Sequence, residues 1–116
     1  MEQNKVYNLE ERTYIFAKNC RLLIKKLNKT VPSIEDGKQL IKSSGSIAAN
    51  YNEANEKLGN KDFVFRLKIA RKEAKESLLW LKLLRDLNET EKVEIESLMQ
   101  EADEIRKILS AIINKS

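Results

Sequence analysis

Glu53, Glu73 and Glu76 are the residues of this 116-residue chain whose type and placement come closest to chemistry. They fall on segments that otherwise read as core-facing helix, and inward carboxylates on neighbouring helices can bridge a pair of metal ions. Di-iron bundles complete such a centre with a Glu-x-x-His pair from each of two helices. The chain contains no His, so that ligand set cannot be built. Ser44 and Ser46 likewise lack an imidazole base, and a hydrolytic triad is absent. Cys20 is the only cysteine; it sits in an apolar series with Phe16, Leu23, Ile24 and Leu27, where a free thiol behaves as a small core hydrophobe. The glycines form no phosphate-cradling loop. The expectation is a protein that is not an enzyme, with no catalytic residues, no metal and no cofactor. Glu53 and Glu73 are expected instead to accept hydrogen bonds from Asn50, Ser or Arg groups across helices, fixing register.

A second chemistry, phosphate binding, is better supplied. The formal net charge is +4, but Lys18 to Asn88 carries 16 Lys/Arg against 8 Asp/Glu, whereas Glu89 to the end carries 4 against 7. One basic cluster is Lys25, Lys26 and Lys29 with Lys38 and Lys42 on the next helix; the other is Arg66, Lys68, Arg71, Lys72 and Lys75, followed by Lys82 and Arg85. Such surfaces hold phosphates by counterion release, with steep salt dependence. The plainer reading is a solvated face that keeps the protein soluble. There is no aromatic-basic alternation, helix-turn-helix or RNA-binding sheet signature, so any nucleic-acid binding would follow the backbone with little sequence preference.

The elements that position these residues are helices. Three Gly and one Pro are few for a chain of this length, and both residues break helices. One domain and one core are expected, residues 1–116 folding as a single all-α four-helix bundle. Helices are expected at about 9–29, 34–57, 61–87 and 89–114. The first carries Leu9, Thr13, Phe16, Cys20, Leu23 and Leu27 and stops before Pro32. Ser33 and Asp36 read as a capping box for the second, which Gly59 ends; Asn60 caps the third, and Asn88 with Glu91 the fourth. Short connections make sequential helices antiparallel neighbours in up-down-up-down order.

Ser43-Ser44-Gly45-Ser46-Ile47-Ala48-Ala49 places small residues where Leu would normally sit. A helix built that way is shaped around a close neighbour. The third helix carries a stripe of Phe63, Leu67, Ala70, Ala74, Ser77, Leu81 and Leu84, and a second of Val64, Ile69, Trp80, Leu83 and Leu87. Its second half is apolar nearly all round, which points to contact between copies; the plainer reading is a central helix wrapped by its own neighbours.

A single cysteine allows no intrachain disulfide, residues 1–15 are charged and lack the apolar core of a signal peptide, and no apolar run is long enough to span a bilayer. A cytoplasmic protein with no membrane partner is expected.

Glu11-Arg12-Thr13 with Phe16-Ala17, the run Ser43 to Ala54, the block Asp62-Phe63 with Leu67 to Ala74, Trp80-Leu81, and Leu98 to Ile113 follow one another in the order and spacing of a known family. They resemble the bacterial four-helix-bundle proteins encoded in intervening sequences of 23S rRNA genes, whose central signature reads RSxxSIxANxxEA. Here Ser43-Ser44 stands where many relatives carry Arg-Ser. The resemblance implies an antiparallel four-helix bundle assembled as a homopentameric ring. It also implies kinship with the accessory proteins of diversity-generating retroelements, basic barrels that partner a reverse transcriptase and its template RNA. Carried over, Ser46, Asn50, Glu53 and Glu73 are signature positions expected, with Trp80, Leu83 and Leu87, to serve packing and interfaces.

The leading expectation is a non-enzymatic homo-oligomer that binds RNA or DNA, or a nucleoprotein partner such as a reverse transcriptase. The alternative is a structural or protein-partner scaffold that binds no nucleic acid directly.

Overall fold

The computed structural model describes residues 8–116, and among them it contains four α-helices, one short 3-10 turn and no strand. Helix α1 spans Leu9–Lys26, α2 Val31–Ala54, α3 Asn60–Leu87 and α4 Lys92–Asn114, with the 3-10 turn Glu89–Glu91 leading into α4. The expectation drawn from residues 1–15 concerns in part residues 1–7, which lie outside the described residues.

The α1 stripe folds as its spacing predicts. Leu9, Thr13, Phe16, Cys20, Leu23 and Leu27 are all buried. The Asn8 side chain accepts a hydrogen bond from the Glu11 amide, and Glu10 and Glu11 sit in the positive first turn. The helix closes three residues before the expected Lys29, because Leu27 turns extended (ψ 151°) and drops its side chain into the core.

The second helix begins earlier than its capping pattern suggested. Thr30, extended at ψ 160°, is the N-cap, and its hydroxyl accepts from the Ser33 amide at 3.3 Å. Proline is tolerated in the first turn, where its missing N–H has no partner to lose. Pro32 therefore lies inside α2, and Asp36 is too far along to complete a capping box. Ser33 is buried and accepts a hydrogen bond from Asn88 at 3.2 Å, tying the start of α2 to the end of α3. Asn88 is thus a buried cross-link, also bonded to the Leu84 carbonyl, and not the cap of α4.

The turn between α2 and α3 takes its shape from Lys57 at φ 59° and Gly59 at φ 128°. Gly59 occupies the N-cap position of α3, and Asn60 is already helical. At such a φ a side chain is strained, and glycine carries no penalty.

The core lies among all four helices. Leu40 and Ile47 of α2, Leu67, Leu81 and Leu84 of α3, and Ile95, Ile105 and Leu109 of α4 are fully buried. Each such side chain contributes about 1.5–3 kcal/mol of burial free energy. The closest seam joins α2 to α3, followed by α3 to α4, with α1 leaning less closely on α2 and α4. Small residues make the first seam possible. Ser43, Ser44, Ala70, Ala74 and Ser77 are buried there or beside it, and the Ser43 and Ser77 hydroxyls meet at 2.7 Å. The small-residue run of α2 is therefore fitted to helices of its own chain. The molecule measures 44 × 29 × 19 Å.

Candidate functional site

The ten basic residues singled out by sequence do not form two intact patches. Lys26 donates to Glu94 at 2.9 Å, and Lys38 lies 3.4 Å from Glu35. Arg66 pairs with Asp62 at 3.5 Å, while Arg71 donates to the Ser110 hydroxyl at 3.3 Å. These four cations are partly occupied in holding the protein's own surface.

The remainder stand free. Lys25 and Lys29, with the paired Lys38, rim a hollow of about 550 Å³ whose lining includes Ile24, Leu27, Ile34 and Ile41, at the junction of α1 and α2. Lys42 is turned away from that group; it borders a smaller hollow of about 350 Å³ with Gln39, Ser46, Glu73 and Glu76. On α3, Lys68, Lys72 and Lys75 follow one another at spacings of four and three residues, all exposed, opposite the buried Leu67–Ala70–Ala74 stripe. Among the described residues none of these three, nor Lys25, Lys29 or Lys42, has a carboxylate within ion-pair distance.

The acidic fourth helix is the converse case, because its carboxylates are largely answered. Arg12 donates to Glu101 at 2.7 and 3.0 Å and to Glu104 at 2.6 Å. The Glu101 bonds, with Glu104 adding to them, raise the Arg12 pKa further above its usual range, against the opposing effect of burial. Glu96 lies 3.6 Å from Arg85, and hydrogen bonds from Arg106 and then Lys107 hold Asp103 below the usual carboxylate range. The cations left without a carboxylate within ion-pair distance among the described residues include Lys68, Lys72 and Lys75 on α3 and Lys25 and Lys29 at the α1–α2 junction.

The expected cross-helix hydrogen bonds of the carboxylates are not formed. Asn50 donates to the Ser46 carbonyl and hydroxyl, both at 3.0 Å and one turn back on its own helix. Glu53 is exposed. Glu73 is half-buried; burial, and then the nearby charge of Glu76, push its pKa up. Among the described residues no three His, Cys, Asp or Glu side chains gather as metal ligands. Cys20 is buried in the core, and burial pushes its thiol up to about 12. Among the described residues no helix is long and apolar enough to cross a membrane.

Trp80 is half-buried and packs against the core, whereas Leu83 and Leu87 of the same stripe remain exposed in the single chain. Sequence reasoning missed the Arg12 bridge and the Arg21 guanidinium, which reaches the Ala17 and Ile41 carbonyls and the Ser44 hydroxyl. Both join segments distant in sequence, which helical periodicity cannot pair.

The chain matches none of the curated proteins. A crystal structure of a protein of unknown function from the S23 ribosomal protein family of Bacteroides thetaiotaomicron VPI-5482 superimposes with a TM-score of 0.81, at 33% identity over 95% of this chain and 98% of that one. The sequence profile of the 23S rRNA-intervening sequence protein family matches residues 3–111. With nearly its whole length covered, the chain belongs to the 23S rRNA-intervening sequence protein family.

Proposed function

We propose that this protein is a cytoplasmic, non-enzymatic, self-associating helical module that binds RNA or DNA along the phosphate backbone with little sequence preference. The observation that carries the reading is the exposed row Lys68, Lys72 and Lys75, three cations on one helix face with no carboxylate partner among the described residues, in a molecule whose acidic helix is largely neutralised by its own basic side chains. Lys25 and Lys29 extend the positive surface at the α1–α2 junction. Repetition of these patches in a symmetric assembly adds their fields.

The proposal includes an antiparallel up-down-up-down order. What supports it is that partners across each seam run in opposite numerical sense: Ser33 with Asn88 and Ser43 with Ser77, Arg71 with Ser110 and Arg85 with Glu96, Arg12 with Glu101 and Lys26 with Glu94. It includes a homopentameric ring and kinship with retroelement accessory proteins, both resting on the resemblance of the signature segments.

The test is binding of random-sequence single- and double-stranded RNA and DNA across a salt series. Affinity should fall with a linear log–log slope, and replacing Lys68, Lys72 and Lys75 by Ala should make that slope shallower by about 2–3, at roughly 0.7–0.9 per phosphate contact. Absence of binding even at about 50 mM salt would overturn the reading in favour of a protein-partner scaffold, because phosphate contacts strengthen as counterions are diluted.

A further inference from the structure

Where α1 gives way to α2, the hollow of about 550 Å³ rimmed by Lys25 and Lys29 is apolar within and cationic at its edge. Ile34, Lys38 and Ile41 lie four and three residues apart and share one face of α2. Ile24 and Leu27 line the hollow from the α1 side. The two isoleucines of α2 stand about 10 Å apart along the helix at 1.5 Å per residue. Ile34 is 41% exposed, and Ile24 and Ile41 are half-buried, so apolar surface there is still wetted.

Three observations mark the same hollow as a place for negative charge. Lys25 and Lys29 have no carboxylate within ion-pair distance among the described residues, while Lys38 meets only the exposed Glu35, at 3.4 Å. The first turn of α2 adds the positive end of a 24-residue helix and contains no acidic residue to answer it. Ser33, in that turn, lines the hollow although it is only 4% exposed. Its hydroxyl accepts from the Asn88 amide nitrogen and, among the described residues, has no acceptor for its own proton.

We propose that this hollow binds an amphipathic anion, a carboxylate carried on a straight hydrocarbon chain. The carboxylate takes the Ser33 proton and the charge of Lys25 and Lys29, and the chain lies across Ile24, Ile34 and Ile41. Hydrogen bonds to an ionised group are the strong ones. The volume falls within the roughly 300–1,000 Å³ usual for small-molecule sites. A nucleic-acid phosphate would use the cations and leave the isoleucines wet; a neutral apolar molecule would cover the isoleucines and leave the Ser33 proton unanswered. The site is separate from the lysine row of α3, and it stands or falls apart from nucleic-acid binding.

Calorimetric titration of the full chain with sodium decanoate, below the concentration at which it forms micelles, tests this. Saturation at one site per chain is expected. Decanol keeps the chain and acetate keeps the head; each should bind at least about tenfold more weakly, the worth of one charge-assisted hydrogen bond or of a few buried methylenes. The exposed lysines permit Lys25→Ala/Lys29→Ala, which should weaken decanoate by about the same factor with the circular dichroism spectrum unchanged. Ile34→Ser should weaken it as well. Lys68→Ala/Lys72→Ala should leave decanoate binding intact. No saturable heat with decanoate, or decanol binding as tightly as decanoate, would overturn the proposal. An equal loss in the Lys68/Lys72 variant would overturn it too, by showing adsorption to any basic surface. Binding to vesicles of phosphatidylglycerol with none to soluble decanoate would overturn it in favour of a membrane surface.

Discussion

The hydroxyls of Ser43 and Ser77 lie 2.7 Å apart in the buried seam between α2 and α3. Both residues are buried, and each depends on the other unequally. Ser43 also reaches the Leu40 carbonyl at 3.4 Å, whereas among the described residues Ser77 has Ser43 as its one side-chain partner. Ser43→Ala should therefore cost about 1–3 kcal/mol by orphaning a buried hydroxyl, and Ser77→Ala less. Adding Ser77→Ala to Ser43→Ala should recover part of the loss, as urea unfolding of the double-mutant cycle would measure.

Arg12 is the pin between the first and last helices. Its guanidinium binds Glu101 through two nitrogens and Glu104 through one of them. Arg12→Lys keeps the charge but loses the planar fork. We expect it to cost about 1 kcal/mol, since the carboxylates are partly solvated, and the loss should shrink in high salt. Arg12→Ala should cost more, because two carboxylates one turn apart on α4 are then left facing each other. Denaturant midpoints at low and high salt check both.

Glu73 gives the fold a pH dependence of definite sign. Burial, reinforced by Glu76, raises its pKa in the folded state. The unfolded chain therefore releases this proton first. The contribution of Glu73 to stability is fully present below its unfolded pKa and is lost as pH rises through the folded one. Glu73→Gln should melt higher than the parent near pH 7, and the gap should close towards pH 4, where the parent carboxyl is protonated.

Cys20 should be inert in the native protein. With its thiol pushed up to about 12, roughly one molecule in ten thousand carries a thiolate at pH 8, and the sulfur is shut inside the core. A disulfide reagent should label it only when the chain opens, so the labelling rate should rise with urea in step with unfolding. Rapid labelling in native buffer would contradict the burial.

Much of this architecture was legible in the chain. Phe16, Cys20 and Leu23, or Leu67, Ala74 and Leu81, repeat at helical spacing, and every one of them is buried. The caps were read less well. Ser33 and Asn88 look like N-caps because their side chains suit that task, but they are buried next to each other and bond across helices instead, the Asn88 amide nitrogen donating to the Ser33 hydroxyl. The basic clusters read from the sequence are divided by geometry. Lys42 shares a spacing with Lys38 yet faces Glu73 and Glu76, and Lys26 is held by a glutamate 68 positions away. Local periodicity fixes which face a residue occupies; which distant partner waits there is decided by how the helices are laid together.

The corner between α2 and α3 has a practical consequence. Residues 55–60 are all exposed, and the backbone there is already bent through two positive φ angles. A nick at Leu58–Gly59 removes no buried contact, and the closest seam of the molecule then lies between the two fragments, not within either. The halves α1–α2 and α3–α4 should complement one another: mixed as separate peptides, they should recover helical signal that neither shows alone, and Ser43→Leu in one half should prevent it.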